Sequence, residues 1–92
     1  MFDPLLHQTI RSKLISLLIS NEELPFKALK ESLGVTDGNL SSHLSKLEKK
    51  EYVIIEKTFE GKRPKTIVHI APKGKEAFSK YIEALKKFIE EN

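Results

Sequence analysis

The sequence contains no cysteine and no tryptophan, and its apolar stretches are short. The absence of cysteine excludes disulfide frameworks, thiolate zinc sites and cysteine nucleophiles. Apolar runs such as Leu17-Leu18-Ile19 are only a few residues long, whereas a membrane-spanning helix needs about 20 apolar residues. The first residues also lack the basic region of a cleaved signal peptide. We therefore expect a cytoplasmic protein with no membrane association.

The chain has 92 residues, of which 39% are hydrophobic and 32% are charged. This balance is typical of a folded protein, and the length allows one hydrophobic core, so residues 1–92 are expected to form a single domain. Residues 38–75 carry nine basic and four acidic side chains, a net charge of +5, whereas the segments on either side each carry −1. A cationic centre of this kind is suited to a polyanion, although a solvated Lys-rich face has the same composition.

The first half of the chain predicts three helices. The first covers residues 1–20, and its apolar residues fall on two faces. Residues 25–33 form a short second helix that ends before Gly34, since glycine readily adopts the positive φ of a helix terminus. Thr36 is a suitable N-cap for a third helix over residues 36–50. Two helices joined by a short turn that contains glycine form a helix-turn-helix.

The second half predicts a β-hairpin and a long helix. Residues 52–71 have the period-2 apolar pattern of two strands, with a charged turn over residues 60–65. Leu24 is a candidate for an additional, very short strand. Residues 73–91 carry apolar side chains at every third or fourth position and predict the last helix. The sequence therefore predicts an α+β winged helix-turn-helix: a three-helix core, a two-stranded hairpin wing and a long C-terminal helix.

Several segments resemble one family of regulators. The run LGVTDGNLSSHLSKLE, residues 33–48, is similar to the winged-helix regulators of the MarR/ArsR type, especially short archaeal and bacterial versions with little beyond the DNA-binding domain. The segments KEYV, EGKRPKT and PKGK resemble the family's exit from the recognition helix, its wing and the start of its last helix. The resemblance covers roughly residues 10–90. It implies a homodimer that binds palindromic double-stranded DNA, usually as a repressor of transcription.

By this resemblance, residues 36–50 are the recognition helix, and an α-helix about 10–12 Å wide fits the major groove of DNA. Asn39 is the best candidate for reading a base, because a carboxamide can form two hydrogen bonds to adenine; alternatively, Asn39 only caps the first helical turn. Gly38 either allows another backbone or a phosphate to approach closely or is a tolerated defect, and His43 either packs beside the helix or touches a phosphate. The candidate contact residues are Thr36, Gly38, Asn39, Ser41, Ser42, His43, Ser45 and Lys46.

The tip of the predicted hairpin is cationic. Arg63 is flanked by Lys62 and Lys65, and guanidinium groups are attracted to the negative potential of narrow minor grooves. Pro64 stiffens the tip and lowers the entropy cost of ordering it. We predict that Lys62, Arg63, Pro64 and Lys65 contact DNA, with a solvated hairpin end as the alternative.

The chain has more apolar residues than one small core needs. Part of the first helix's apolar surface lies opposite its main stripe, and the apolar stripe of the last helix extends past the expected core. We predict that these surfaces pair across a two-fold axis; alternatively, the last helix folds back on the first within one chain. The predicted interface residues are Leu5, Ile15, Ile19, Tyr81, Leu85, Phe88 and Ile89.

The sequence has no constellation of catalytic or metal-binding residues. His7, His43 and His69 lie on different predicted elements, and no pair has the HxxxH spacing of a helical metal site. We therefore expect no enzymatic activity, no metal and no cofactor. The alternatives to a DNA-binding regulator are a winged-helix module that binds another protein and a small enzyme or metal sensor. The sequence identifies no small-molecule effector.

Overall fold

The structure, a computed structural model, describes residues 9–91. The elements follow one another as α1 (Thr9–Asn21), β1 (Glu23–Pro25), α2 (Phe26–Leu33), α3 (Asp37–Lys49), β2 (Val53–Glu60), β3 (Arg63–Ile70) and α4 (Pro72–Glu91). This architecture confirms the predicted α+β winged helix-turn-helix. The start of the predicted first helix and the candidate interface residue Leu5 lie outside the described residues. None of the described helices is long and apolar enough to span a bilayer.

Helix α1 buries a single stripe of side chains. Arg11, Leu14, Ile15 and Leu18 are its buried residues, and positions i, i+3, i+4 and i+7 share one side of a helix. Ile15 is fully buried in the core of the protomer. The prediction that Ile15 faces a partner molecule is therefore wrong, because the buried stripe of α1 extends around the helix as far as Ile15.

Helices α2 and α3 are joined by a tight turn. Gly34 adopts a φ of 65°, and its N–H donates to the carbonyl oxygen of Lys30 at 2.9 Å. Thr36 caps α3, since its Oγ1 accepts a hydrogen bond from the N–H of Asn39 at 3.1 Å. The apolar period of α3 turns the opposite side of this helix to solvent, because three of its leucines lie in the core: Leu40, Leu44 and Leu47.

The three strands form an antiparallel sheet in the order β1-β3-β2. Strand β1 pairs with β3 through Leu24 opposite Val68, so the short strand at Leu24 adds a third strand to the predicted two-stranded hairpin. Val68 is fully buried against the helices. One face of the sheet thus closes the core, and the hairpin projects beyond it.

The turn of the wing is shorter than predicted. Strands β2 and β3 remain paired as far as Glu60 and Arg63, so the turn consists of Gly61 and Lys62 rather than residues 60–65. Gly61 has a φ of 64°, and a two-residue hairpin turn requires positive φ at its first central residue. Arg63 and its neighbours therefore extend from a strand, which holds them more rigidly than an open loop would.

Helix α4 packs on the core through its first half only. Gly74 lies so close to the residue that precedes β2 that a Cβ at this position would collide with the carbonyl oxygen of Tyr52. Phe78 packs against the core, whereas Phe88 is 56% exposed and Ile89 is 64% exposed. The distal half of α4 is thus an apolar surface outside the core.

Gly74→Ala is expected to lower the free energy of unfolding by about 1–3 kcal/mol, because the added methyl group meets backbone atoms that cannot rotate away. Gly38→Ala is the matched control: a Cβ at Gly38 has no neighbour within 4 Å, and alanine is favoured over glycine in a helix by about 1 kcal/mol. Urea denaturation measures both changes. Equal effects of the two substitutions would contradict the close approach of α4 to Tyr52.

Candidate nucleic-acid interface

The side of α3 that faces away from the core carries small polar side chains. Its outward orientation follows from the spacing of its buried leucines. Seven of the eight predicted contact residues of the recognition helix are exposed: Thr36, Gly38, Asn39, Ser41, Ser42, Ser45 and Lys46. The structure thus gathers them on one accessible surface, which we call the recognition face.

Asn39 and Thr36 have different roles at the start of α3. The hydroxyl group of Thr36 accepts the hydrogen bond from the N–H of Asn39, so Thr36 is the cap and the carboxamide of Asn39 is not used for capping. The Asn39 side chain is exposed on the recognition face. The capping alternative thus falls to Thr36, and contact between Asn39 and a base stays a prediction.

His43, the eighth predicted contact residue, is half-buried and faces α1. Its Nδ1 accepts a hydrogen bond from Nε of Arg11 at 3.1 Å. Burial, together with the positive charges of Arg11 and Lys46, lowers the pKa of His43. The imidazole is consequently neutral at neutral pH, and its Nδ1 contacts Arg11 of the same chain.

Sequence reasoning missed Arg11. This residue is separated from His43 by 32 positions in the chain, so no local pattern connects the two. The available signal was a charged residue on the buried stripe of α1, three positions before Leu14 and seven before Leu18. A cation on a core-facing stripe indicates a specific partner or function, because burying a charge costs free energy.

The other flank of α3 faces the wing across an open groove of about 490 Å³. Ser41, Ser45 and Glu48 line it from α3, and Lys57 and Thr66 line it from the sheet. The groove separates the recognition face from the wing. The recognition face and the wing therefore lie on either side of this groove.

The wing presents most of its predicted contact residues to solvent. Lys62, Arg63 and Pro64 are exposed, whereas Lys65 is half-buried and its Nζ lies 3.2 Å from a carboxylate oxygen of Glu60. Lys62 and Arg63 thus carry the charge that can reach an external anion. Phe59 pairs with Pro64 across the hairpin and is 69% exposed. Sequence reasoning did not include Phe59 in the surface of the wing, although this residue lies next to the charged turn.

The predicted interface residues are not equally accessible. Ile19 and Tyr81 pack partly against the core, and Leu85 borders a groove of about 490 Å³ between α1 and α4. Helices α1 and α4 also contact each other. This contact supports part of the alternative in which the last helix folds back on the first. The surface left for a partner lies in the distal half of α4, at Leu85, Phe88 and Ile89.

The three histidines do not meet. His7 lies outside the described residues, and His43 lies beside Arg11. His69 lies on the sheet, where its Nε2 is 2.8 Å from Oε1 of Glu56 and its Nδ1 is 3.9 Å from Oε1 of Glu23. Within residues 9–91, no group of three or more histidine or carboxylate side chains is placed to hold a metal ion.

Comparison with protein families gives a match over residues 10–89 to the model described as winged helix DNA-binding domain. An uncharacterized protein of Methanocaldococcus jannaschii is 43% identical over 76 residues, which cover 83% of each chain. The family match extends over the helix-turn-helix, the wing and most of α4.

Solved structures show the same architecture. A transcriptional regulator homologue from Pyrococcus horikoshii OT3 has a TM-score of 0.88 and 30% identity, with coverage of 94% of this chain and 85% of the other. A PadR family transcriptional regulator from Eggerthella lenta shares the fold, with a TM-score of 0.67, 20% identity and coverage of 89% and 79%. The first of these is described as a transcriptional regulator homologue and the second as a transcriptional regulator, and the MarR/ArsR subtype remains a prediction.

Proposed function

Because this chain belongs to the family of winged-helix DNA-binding domains, we propose that it is a transcription regulator that binds double-stranded DNA in a sequence-specific manner. The observation that carries the proposal is the exposed recognition face on α3 beside a cationic wing. Small hydroxyl side chains let a helix lie deep in the major groove, where base edges differ from one base pair to the next. The buried core of a protein–protein interface would be more apolar than the recognition face.

In the proposed complex, α3 enters the major groove through its N-terminal half. Asn39 reads a base, and the serine hydroxyl groups bind phosphate oxygens or base edges. Arg63 and Lys62 reach the adjacent minor groove from the tip of the wing. Since Lys46 is the main charge on the recognition face, the wing supplies a large part of the electrostatic attraction.

We further propose a homodimer that acts as a repressor in the cytoplasm. The distal half of α4 offers Leu85 and Ile89 to a second copy of the chain, and Ile89 is 64% exposed in the protomer. A two-fold dimer would bring its two recognition helices about 34–36 Å apart, one turn of DNA, and would read a palindromic site. Repression follows if that site overlaps the binding site of the transcription machinery.

Fluorescence anisotropy with labelled duplex DNA over a series of salt concentrations tests the proposed function. We expect the logarithm of the binding constant to fall linearly with the logarithm of the salt concentration, because cations released from the phosphates return to the DNA when the protein dissociates. Random genomic fragments provide the first probe, and selection of the bound fragments then yields the preferred site. Binding that is absent, or insensitive to salt, would favour a module that binds another protein.

A further inference from the structure

Phe59 is a large apolar side chain that the protomer leaves in solvent. It is 69% exposed, although it belongs to β2, a strand that is paired with β3 along its whole length. Pairing holds the backbone of Phe59 in place, so the ring is displayed on a fixed support. A single exposed apolar residue needs no explanation by itself. Its neighbours therefore decide what Phe59 can bind.

The ring lies on the face of the wing that turns toward α3. Side chains two positions apart share one face of a strand, and Lys57, two positions before Phe59, lines the groove between α3 and the wing. Pro64 lies opposite Phe59 in the register of β2 and β3, and directly opposite residues also share a face. Phe59 and Pro64 thus form an apolar platform next to the groove.

The surroundings of the apolar platform are cationic. Residues 57–66 carry four basic side chains and one acidic side chain, and the acidic one, Glu60, lies 3.2 Å from Nζ of Lys65. None of the ion pairs within residues 9–91 involves Lys57 or Arg63. Aromatic rings among exposed cations are typical of surfaces that bind nucleic acids, where the cations follow the phosphates and the rings pack on the nucleotides. The charge therefore favours a polyanion as the occupant.

The groove between α3 and the wing has the position of a DNA backbone strand. One sugar–phosphate strand separates the major groove of a duplex from the adjacent minor groove, so a protein that enters both grooves holds that strand between its two parts. Two carboxylates line the groove, but Asp37 and Glu48 lie at opposite ends of α3, about 16 Å apart along the helix axis, and Asp37 is paired with Lys30 at 2.8 Å. Between them, Ser41 and Ser45 line the groove with hydroxyl groups, which suit phosphate oxygens.

We infer that the ring of Phe59 packs on a deoxyribose of the strand held in this groove, and that Lys57 binds an adjacent phosphate of the same strand. The inference rests on the proposed function and adds to it a contact made by the face of the wing rather than by its tip. The sugar is the least polar part of the backbone, so it suits the apolar platform, and the contact removes apolar surface from water. Pro64 extends the platform and keeps it rigid, because its φ is fixed.

Phe59→Thr removes the ring and keeps a side chain that favours strands. We expect affinity for duplex DNA to fall roughly three- to thirty-fold, because the apolar area of the ring is no longer buried. The slope of log K against log salt should not change, because no charge is removed. Anisotropy with the duplex selected by the wild-type protein measures both quantities. A folded Phe59→Thr protein with wild-type affinity would overturn the inference.

Ile54→Thr is the matched control for Phe59→Thr. Ile54 belongs to the same strand and is 54% exposed, but it lies an odd number of positions from Phe59 and so on the opposite face of the sheet. This variant should bind DNA as the wild-type protein does. An equal loss of affinity in both variants would show that any apolar side chain on β2 supports binding, and the assignment of the contact to the α3-facing side of the wing would be wrong.

Phe59→Leu distinguishes packing on a sugar from stacking on a base. A leucine side chain can cover a deoxyribose, but it has no π face on which a base can stack. We therefore expect Phe59→Leu to bind at most about three-fold more weakly than the wild-type protein, since most of the apolar area is retained. A loss as large as that of Phe59→Thr would mean that the ring stacks on a base, and the sugar contact would be rejected.

Lys57→Met tests the phosphate contact. Neutralising one phosphate contact changes the slope of log K against log salt by about 0.9, so the slope should flatten by that amount for each protomer. Lys80→Met removes one positive charge from an exposed position on α4 and should leave the slope unchanged. Thermal melts report the folding of each variant separately. An unchanged slope for Lys57→Met would reject this contact.

A measurement on the wild-type protein needs no variant. In the complex with the selected duplex, we predict nuclear Overhauser effects between the ring protons of Phe59 and deoxyribose protons of the DNA. Their absence in a saturated complex would overturn the inference. If the wild-type protein binds no duplex, the proposed function fails as well, whereas wild-type binding that both Phe59→Thr and Lys57→Met retain in full rejects this inference alone.

Discussion

The Leu85→Glu variant is expected to sediment as a monomer. It should bind a palindromic duplex at least about 100-fold more weakly than the wild-type protein. Leu85 is half-buried at the edge of the groove between α1 and α4 and is not among the residues that pack against the core. A carboxylate at this position should therefore leave the protomer folded and disrupt an apolar interface. The expected loss reflects the avidity of two linked binding units, which is about 10² to 10⁴.

Ser79→Glu is the control for this prediction. It adds the same carboxylate to α4 at an exposed position, away from the apolar stripe that contains Leu85. The control should remain dimeric and bind the duplex with unchanged affinity. Sedimentation equilibrium gives the mass, and circular dichroism shows whether each variant is folded. A Leu85→Glu protein that remains a folded dimer would contradict the assignment of the interface to the distal half of α4.

Asn39→Ala should weaken binding to the preferred site roughly 5- to 150-fold and relax the preference at one base pair. This range corresponds to about 1–3 kcal/mol, the free energy by which a two-bond contact between a side chain and a base discriminates against the wrong base. The carboxamide of Asn39 is exposed on the recognition face while Thr36 provides the cap, so the substitution should leave α3 intact. Binding to a set of duplexes that differ at single positions measures the effect.

Two further variants separate base reading from general attraction. Asn21→Ala is the matched control, because it removes an exposed asparagine whose Nδ2 donates to the carbonyl oxygen of Leu17 at the end of α1; it should not affect DNA binding. Arg63→Ala should weaken binding to all duplexes alike and reduce the salt slope by about one unit. If Asn39→Ala also weakened all sequences equally, Asn39 would contact the backbone and not a base.

Much of the fold follows from local signals in the sequence. Gly34 and Thr36 mark the turn of the helix-turn-helix, because one adopts positive φ and the other caps the next helix. The change of apolar period after Lys50 marks the start of the hairpin. Each of these features depends on residues that are close in the chain, which is why a single sequence is enough to predict them.

The features that sequence reasoning missed depend on tertiary contacts. A helical wheel shows that Ile15 is apolar but not which neighbour covers it, and the core covers it fully. The bond between Arg11 and His43 joins residues 32 positions apart. At the wing, the charged segment EGKRPKT has the composition of a loop, but pairing across the hairpin extends the strands to Arg63.

The central claim is that the recognition face of α3 and the tip of the wing together bind duplex DNA. Backbone amide NMR shifts, recorded while a selected duplex is added to the protein, test it directly at each residue. We predict that the largest changes fall between Thr36 and Lys46 and at Lys62 and Arg63. Changes confined to α4 and the groove beside α1, with α3 and the wing unaffected, would contradict the account.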